Sequence, residues 1–485
     1  MSTTDTINQL MQAEALPQTA LKNKVATQNL QVSAYQYVNT KLAALATASK
    51  ALSSSDTWGS MKTTSSSDAA VVTAQAGAAA GSLSFRVESV ATTHTMTFTG
   101  TSVASATDAA AWPVMTGNTF DVTLKDGTTK TLTPSDKSLQ SVVAAINGET
   151  NSLYKASAVQ IGSGQYTLQL TAKTSGATAS FDATKLPSGL NLGAATTTVQ
   201  GVDAQLKIGE GAGAYTINSA TNTFAGVLPG LTVTATRAQA ATDAPVTVSV
   251  AADADAVAAK VQALVDGLNA ALTEISMQSR AKTGTAAAGA LVGDSSLRSL
   301  RQDLLSSVST GVAGVDPLKP GITSSVADVG VVLSRDGTVS FDKAKFLDAL
   351  AKDPAKTQRY FDSYTETDSK TATNPAGKGT EGMFQPTFDV ARGLGRKLET
   401  VSLVATEGVT TPGAPLSTAK QGTLQGLIQR RNASISDLND QVSEWDTRLD
   451  LRRAGLERQF SAMEVALGKM QQQSSWLSGQ LASLG

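Results

Sequence analysis

The sequence predicts an α+β multidomain protein in which long helical segments at the two ends enclose β-rich domains. Three observations predict this class: helical spacing of apolar residues over positions 1–52, a period of two from about 69 to 250, and an apolar residue at every seventh position near the C-terminus. The terminal segments are expected to form a coiled-coil or helical core. The predicted N-terminal helical segment covers 1–68 and pairs with a C-terminal coiled-coil helix over 421–485. Between them, a β-rich domain covers 69–100 and 197–251, and a second inserted β-rich domain over 101–196 carries an Ile-Asn pair on a helix. A helical core domain covers 252–420.

The N-terminal segment is predicted to be a helix that Pro17 breaks or kinks, because proline lacks the backbone donor and clashes with the preceding turn. Its apolar residues recur at mixed spacings of three, four and seven, as on one face of a helix. We expect these residues to form an N-terminal assembly seam: Leu10, Met11, Leu21, Val25, Val32, Tyr35, Leu42 and Leu45. Serine-rich stretches at 53–55 and 65–67 then predict a polar connector.

The middle of the chain alternates apolar and polar residues, which is typical of half-buried strands. A strand pattern that starts at Phe120 leads into Asp126-Gly127, and this dipeptide predicts a hairpin turn. One helix is expected within the region, around the Ile-Asn pair at 146–147. The glycine-rich stretch 209–213 is interpreted as a β-turn, because a strand pattern follows it, whereas a phosphate-binding loop needs a helix there.

Helical periodicity returns at Asp253, and capping residues indicate where several helices begin. The predicted caps are Asp253 or Asp255 for the first helix, Asp294 for the second and Asp342 for a later one. Pro354 suits the first turn of the next helix. A hairpin is expected at 336–337, where strand patterns flank an Asp-Gly pair, and a further helix near 387–405.

The C-terminal segment carries a second seam of apolar residues, most of them at heptad spacing. A stripe of this kind stays on one side of a helix, so the tail is expected to pack lengthwise against another helix, over about 75 Å for roughly 50 residues. The seam residues are Ile435, Leu438, Val442, Trp445, Leu449, Leu456, Phe460, Met463, Leu467, Met470, Leu477, Leu481 and Leu484. The spacing of the companion residues changes from three to four at Arg452-Arg453, and we interpret this shift as a boundary between two segments with different partners.

The composition argues against catalysis and against nucleic-acid binding. Basic and acidic residues nearly cancel, 39 against 40, so no electrostatic basis exists for binding nucleic acid or an anionic membrane. The chain has no cysteine and a single histidine, His94, which removes thiolate chemistry and nearly all imidazole chemistry. His94 is expected to lie on the surface or in a strand. We therefore predict no catalytic residue, no cofactor and no metal site.

Neither a secretory signal nor a membrane span is visible in the sequence. The first residues lack the basic region and apolar core of a general secretory signal. No uncharged apolar run reaches the length of about 18 residues that a spanning helix needs. If the protein is exported, we expect it to leave by a route that needs no such signal.

Several short segments match one family in the same order along nearly the whole chain. They are the opening run from Ile7 to Pro17, Ala145-Ile146-Asn147, the strand Tyr166 to Thr171, the segments 222–233 and 246–269, Leu291 to Leu297, Arg458 to Glu464, and Gln473 to Leu477. Together they resemble the flagellar filament cap family, also called flagellar hook-associated protein 2. The family usually opens with a Ser-Gly-Leu-Asp lead, whereas this chain has only Thr4-Asp5 at that point.

The resemblance implies a homo-oligomeric ring at the distal tip of the bacterial flagellar filament, outside the cell. Such a protein is secreted through the flagellar type III export apparatus, with an export chaperone as a further partner. Its other partners are flagellin and the hook–filament junction proteins. It guides the folding and insertion of exported flagellin subunits, so that the filament elongates, and this role needs binding rather than covalent catalysis.

Two alternatives stay open from the sequence. A flagellin or a hook–filament junction protein shares helical termini and the Ile-Asn pair, whereas the C-terminal tail favours the cap. A surface adhesin would bind host surfaces or mucin through the β modules, and adhesion is also compatible with a cap as a secondary activity.

Two hypotheses concern the helical ends. Disorder before assembly would suit export, so little hydrogen-exchange protection is expected at 1–50 and 430–485 in the isolated monomer. Replacing Leu467 and Leu481 by serine is expected to weaken anchoring to the filament while sparing ring formation.

Overall fold

The computed structural model describes residues 3–285, 287–319, 322–363, 393–409 and 420–482. The chain divides into two compact units, Met1–Trp58 together with Ala254–Gly485, and Gly59–Asp253. The first unit is mainly helical and contains both ends of the chain, whereas the second is rich in strands and is inserted between them. This organisation confirms the predicted α+β multidomain class.

The helical unit is built from long helices and short hairpins, which are numbered here in chain order. The helices are α1 (Thr3–Glu14), α2 (Leu16–Leu52), α3 (Ser55–Trp58), α5 (Ala254–Ser279), α6 (Ser295–Ser309), α7 (Lys343–Lys352), α8 (Pro354–Asp362), α9 (Leu394–Thr406) and α10 (Thr423–Ala482). The described hairpins pair β15 (Val312–Ala313) with β16 (Thr323–Ser324), β17 (Val331–Leu333) with β18 (Val339–Phe341), and β19 (Gly408–Val409) with β20 (Lys420–Gln421).

The core of this unit lies where α2, α5, α6 and α9 pack together, with the first turns of α10 against them. On α5 the buried side chains Val261, Leu264 and Leu268 follow the spacing of three and four that places residues on one helix face. On α2 the side chains of Tyr35 and Leu42 are fully buried. Apolar periodicity in the sequence therefore becomes a shared core between the N-terminal helix and the helices that follow the β-rich unit.

Most helix starts lie where the sequence predicts them. The carboxylates of Asp294 and Asp342 each accept a backbone N–H bond of 3.0 Å in the first turns of α6 and α7, which confirms both caps. Pro354 lies in the first turn of α8 as predicted, and Asp253 directly precedes α5. The helix expected near 387–405 is α9, and residues 387–392 lie outside the described ranges.

Two largely buried carboxyl groups lie near the junction of α2, α8 and α9. The guanidinium of Arg396 donates to the Asp362 carboxylate over 2.7 Å, and the Ser53 hydroxyl donates to Glu399 over 3.2 Å. Burial raises the pKa of both Asp362 and Glu399, and the nearby charge of Arg396 opposes this increase only in part. The folded unit thus disfavours ionisation of these two acids.

The β-rich unit contains two hydrophobic cores, and the first lies within two antiparallel sheets. Their strands are β1 (Met61–Ser65), β2 (Ala70–Ala74), β3 (Gly81–Ser89), β10 (Ala204–Ile208), β11 (Tyr215–Ser219), β12 (Thr223–Ala225), β13 (Leu231–Ala235) and β14 (Val246–Ala252). The strand order is β1-β14-β3-β10-β11 in one sheet and β12-β13-β2 in the other. Val246, Val248 and Val250 are buried while the residues between them are exposed, as a period of two requires.

The second core packs one helix and a hairpin with a four-stranded sheet. The elements are β4 (Thr95–Phe98), β5 (Phe120–Thr123), β6 (Thr129–Leu132), α4 (Leu139–Gly148), β7 (Tyr154–Gly162), β8 (Gln165–Ala172) and β9 (Ala195–Val199). The sheet order is β7-β8-β4-β9, and β5 pairs with β6. The turn between β5 and β6 contains Asp126-Gly127, which confirms the predicted hairpin.

The strand pairing departs from the predicted domains at three strands. The segment 61–65, predicted to belong to a helical segment with a polar connector, is strand β1 and pairs with β14. Its composition of one methionine, one lysine, two threonines and a serine gives almost no apolar alternation. Strand β4, predicted for the domain over 69–100, lies between β8 and β9 in the other sheet, and β9 crosses the predicted boundary at 196–197. Alternation identifies a strand but not the neighbour with which it pairs.

Two asparagine side chains each connect a helix to a strand by two hydrogen bonds to the backbone of one residue. The amide of Asn147 on α4 donates to the carbonyl of Ala156 over 2.8 Å and accepts its N–H over 2.9 Å. The amide of Asn269 on α5 does the same with Val339, over 2.6 and 2.9 Å. Ile146 is fully buried, so the Ile-Asn pair contributes one side chain to the core and one amide that hydrogen-bonds the helix to the strand.

The single histidine was expected on the surface or in a strand, and it is buried directly before a strand. His94 is 2% exposed, immediately before β4. Its Nδ1 accepts the backbone N–H of Gly201 over 3.3 Å, and its ring meets Phe181 edge-on with 4.8 Å between centroids. The imidazole is thus a packed side chain inside the β-rich unit. The stretch 209–213 contains a short 3-10 turn followed by β11, in agreement with a turn between strands.

Candidate assembly surfaces

The two ends of the chain meet in an antiparallel pair of helices, in which α1 and α2 run against α10. The guanidinium of Arg453 donates to Asn8 over 2.9 Å. Farther along α2, the Gln28 side chain accepts from Arg431 over 3.0 Å. Because the earlier residue on one helix meets the later residue on the other, the helices run in opposite directions.

A small apolar cluster closes the far end of this helix pair. Ile7 and Met11 on α1 pack with Leu456 on α10, and Leu449 and Phe460 lie partly buried against them. Burying a side chain of this size contributes about 1.5–3 kcal/mol. This cluster therefore holds α1 against α10 beyond the point at which the main core of the helical unit ends.

The N-terminal helix is interrupted at Ala15, between α1 and α2, which confirms the predicted break near Pro17. Pro17 occupies the first turn of α2, where its missing N–H costs no helical bond. Around the interruption, Gln18 donates to Asp446 and Arg452 donates to Glu14 over 2.9 Å. The interruption borders a groove between the helices, lined by Asn8, Met11, Gln12, Ala15, Asp446, Leu449, Asp450 and Arg453.

A buried polar contact joins α2 to the N-terminus of α6, near the point where α10 leaves the core. The Tyr35 hydroxyl donates to the Asp294 carboxylate, whose other oxygen accepts the N–H of Leu297 over 3.0 Å. Burial, reinforced by the negative charge of Asp294, raises the pKa of Tyr35 to about 12, although nearby Arg431 opposes the increase. The phenol therefore stays protonated and able to donate at physiological pH. Leu424 on α10 is buried in the same core.

The predicted N-terminal seam divides into two parts in the structure. Leu10 is exposed, Met11 is buried against α10, and Leu21 and Val25 are half-buried. Further along the helix Val32 is buried, and Tyr35, Leu42 and Leu45 are buried in the core of the helical unit. Sequence periodicity therefore marked a face that is used largely within one chain.

The predicted C-terminal seam also changes character along α10. The half-buried residues are Ile435, Leu438, Val442, Trp445, Leu449 and Phe460, and Leu456 is buried. Beyond them Met463, Leu467, Met470 and Leu477 are between 49% and 64% exposed. The Leu481 side chain and Leu484 lie outside the described parts of the chain.

The exposed end of α10 is long enough to contact another molecule. At a rise of about 1.5 Å per residue, the segment 461–482 measures about 33 Å. Every side chain described between 461 and 479 is exposed, so no other part of the described chain covers this stretch. Its two charged residues are Glu464 and Lys469. Met463, Leu467, Met470 and Leu477 lie on one helix face, whereas Val465 and Trp476 are exposed on the opposite face. We name the segment 461–482 the overhang.

Several contacts of the helix pair had no signal in the apolar pattern. Asn8 and Gln28 are polar partners of α10, and a pattern of apolar residues does not identify polar partners. Arg448 stacks over the ring of Trp445 at 4.9 Å, a cation–π contact that packs a charged side chain on the seam. A charge pattern could have suggested the Glu14–Arg452 pair, but only once the antiparallel register was known.

The described residues show neither a metal site nor a membrane span. No group of three or more potential metal ligands comes together in the part of the chain that the structure describes. Among the same residues, no helix combines the length and hydrophobicity that crossing a bilayer requires.

The fold and the exposed helix end define a class of protein: a multidomain assembly protein whose two chain ends share a helical unit and carry an inserted β-rich unit. A family model described as the flagellar hook-associated protein 2 C-terminus matches residues 201–472, and one described as its N-terminus matches residues 1–94. The chain belongs to the flagellar hook-associated protein 2 family.

The relatives align over part of their length. The chain is 23% identical over 273 residues to the lateral flagellar hook-associated protein 2 of Vibrio parahaemolyticus, covering 56% of this chain and 51% of the relative. It is 26% identical over 275 residues to the A-type flagellar hook-associated protein 2 of Pseudomonas aeruginosa, covering 56% and 48%. The chain thus spans about half the length of these curated relatives.

One solved structure shares the fold over most of this chain. It is the crystal structure of the D1-D2-D3 domains of the flagellar cap protein FliD from Escherichia coli, with a TM-score of 0.55 and 20% identity. The match covers 82% of this chain and 99% of that structure. The likeness establishes a common architecture of helical and β-rich domains.

Proposed function

We propose that the chain is the structural cap at the distal end of the bacterial flagellar filament and that it guides the folding and insertion of exported flagellin subunits, so that the filament elongates. The observation that carries this proposal is the match of both hook-associated protein 2 family models, over 1–94 and 201–472. The partners are further copies in a ring, flagellin and the hook–filament junction proteins. The chain reaches the filament tip through the flagellar export apparatus with a chaperone.

The physical basis of the role is reversible binding through exposed apolar surface. In the overhang, Met463, Leu467, Met470 and Leu477 face solvent on a single helix. Burying each of them against a partner contributes about 1.5–3 kcal/mol, from which the loss of translational and side-chain freedom is subtracted. A stripe of this size supports attachment that can be released and remade as each flagellin subunit is inserted.

Two parts of α10 have different roles in the proposed cap. The part of α10 up to Phe460 is engaged with this chain's own N-terminal helices through the polar and apolar contacts described above. In the overhang the side chains described over 461–479 are exposed. In the proposed cap, the paired part of α10 supports the ring and the overhang contacts the filament.

A complementation experiment tests this function. In a strain that lacks the gene for this chain, flagellin is expected to appear as secreted monomers without filaments, and the intact chain is expected to restore filaments. A Leu467→Ser, Leu477→Ser variant removes two apolar side chains from the overhang. We expect it to form rings of normal size, measured by native mass spectrometry, but to support shorter or fewer filaments in electron micrographs.

Leu451→Ser is the matched control, because Leu451 is exposed on the same helix but lies in its paired part. It is expected to support normal filaments. Full filament growth in the deletion strain without the chain would refute the cap function. Loss of rings together with filaments in the Leu467→Ser, Leu477→Ser variant would refute the division of α10 but not the cap function.

A further inference from the structure

The edge strands of the β-rich unit differ in the features that protect them from pairing with another strand. A strand at the edge of a sheet exposes unpaired backbone N–H and C=O groups, and proteins protect such edges by charged side chains, bulges, short strands or a covering segment. Strand β7 carries Lys155 and a register irregularity near Gly162. Strand β12 has only three residues. Strand β1 carries Lys62 and contacts β2, because Thr63 Oγ1 donates to the Val72 carbonyl over 2.7 Å.

Two other edge strands carry no charged side chain, and one of them, β9, has a register irregularity against β4 between Thr95 and Met96. Strand β9 ends the sheet of the second core and β11 ends the five-stranded sheet of the first core. Each has five residues, and neither contains a charged residue or a proline. Val199 and Tyr215 at these edges are 42% and 57% exposed. In the described chain, β9 pairs only with β4 and β11 only with β10, so one side of each strand is open.

The composition of both strands suits pairing with another strand. Threonine, valine, isoleucine and tyrosine favour strands, and cross-strand pairs of such side chains stabilise a sheet. No charge has to be desolvated when the two edges meet. Both strands have five residues, so their lengths suit a ladder between them.

The positions of the two edges determine the kind of assembly that they can form. A contact between β9 and β11 joins two different surfaces, and repeated contacts of this heterologous kind build rings of more than two subunits. A β9–β9 contact is isologous and stops at a dimer. We infer that β9 of one copy pairs with β11 of the next copy, and that this ladder is a contact through which the ring is closed. The inference rests on the proposed homo-oligomeric cap.

Lysine substitutions at the two edges test the inference in the full-length chain. Thr197 on β9 and Thr216 on β11 are exposed and make no side-chain hydrogen bond among the described contacts. Thr197→Lys and Thr216→Lys each place a charge in the ladder, and each is expected to raise the concentration at which rings form by about tenfold or more. Gln160→Lys on the protected strand β7 is the control and is expected to leave ring formation unchanged.

Mixing the two variants distinguishes the heterologous contact from an isologous one. The Thr197→Lys copy keeps an intact β11 and the Thr216→Lys copy keeps an intact β9. Native mass spectrometry of the mixture is therefore expected to show a dimer with one copy of each, whereas each variant alone stays monomeric.

The outcomes separate this inference from the proposed function. Rings of unchanged stability in both lysine variants, with circular dichroism melts equal to the unmodified chain, overturn the edge pairing and leave the cap function standing. Self-association of Thr216→Lys alone points to a β9–β9 contact and also overturns it. An unmodified chain that forms no rings and supports no filament growth overturns the cap function and this inference together.

Discussion

The hydrogen bond from Tyr35 to Asp294 provides the sharpest test of how the N-terminal helix is held in the helical unit. Tyr35 is fully buried on α2, and Asp294 caps α6 with its second carboxylate oxygen. Tyr35→Phe removes the hydroxyl but keeps the ring in its packed position. The substitution therefore isolates one charge-assisted hydrogen bond from the surrounding apolar contacts.

The expected cost follows from the charge and the burial of the acceptor. A hydrogen bond to a charged group contributes about 1.5–3 kcal/mol to stability. Asp294 is half-buried, so water can partly replace the lost donor, and we expect Tyr35→Phe to lower the free energy of unfolding by about 1.5 kcal/mol. Asp294→Asn keeps a good helix cap but removes the charge, and in the double variant the two losses should overlap by about 1 kcal/mol.

Urea unfolding of the full-length chain, together with hydrogen exchange, measures this effect. Since the two units can unfold in separate transitions, exchange at the amides of α2 and α6 identifies which transition changes. Tyr37→Phe is the control, because Tyr37 lies exposed on the same helix and its change should stay within about 0.5 kcal/mol. A loss in Tyr35→Phe no larger than in this control would show that the contact does not stabilise the unit.

Three further predictions concern other parts of the chain. Asn147→Ala is expected to cost about 2 kcal/mol in the unfolding of the β-rich unit, measured by urea titration, because both backbone groups of Ala156 lose their partner; an unchanged midpoint would contradict this. Glu399→Gln is expected to raise the melting temperature at neutral and alkaline pH but not below about pH 4. The reason is that burial raises the pKa of Glu399, so the folded state holds its proton longer than the unfolded state and stability falls as pH rises; an equal change at every pH would disagree. Hydrogen exchange is expected to be slow at 32–52, where one face of the helix is buried in the core, and fast at 461–479, instead of fast over both complete ends; equal rates would contradict the burial pattern.

Local chemistry in the sequence predicted elements more reliably than it predicted partners. The caps at Asp294 and Asp342 and the hairpin at Asp126-Gly127 follow from side chains within a few residues, and the structure confirms them. The sheet to which β4 belongs depends on contacts with β8 and β9, which are far away in the sequence. No local pattern encodes that choice, so β4 was assigned to the wrong domain.

The assembly seams also show that a local pattern identifies a helix face but not the partner that covers it. The spacing of apolar residues marked one face on α2 and one on α10, but such a face can be covered by the same chain or by another one. For Tyr35 and Leu42 the cover is the core of the helical unit. For Met470 and Leu477 no described residue provides it. The antiparallel register, which the polar contacts fix, decides which part of each face is covered by the same chain.

That register also explains the change of spacing at Arg452-Arg453. At this level the two arginines bond to Glu14 and Asn8 on α1, so polar contacts replace the apolar companions that the seam lacks there.

The interruption of the N-terminal helix at Ala15 borders a groove that Arg453 also lines. The apolar contact then resumes at Leu456 and Phe460 before it ends. The shift in spacing is therefore an irregularity within the paired part of α10. The apolar contact of α10 with α1 thus extends to Phe460, several residues beyond the change of spacing at Arg452-Arg453.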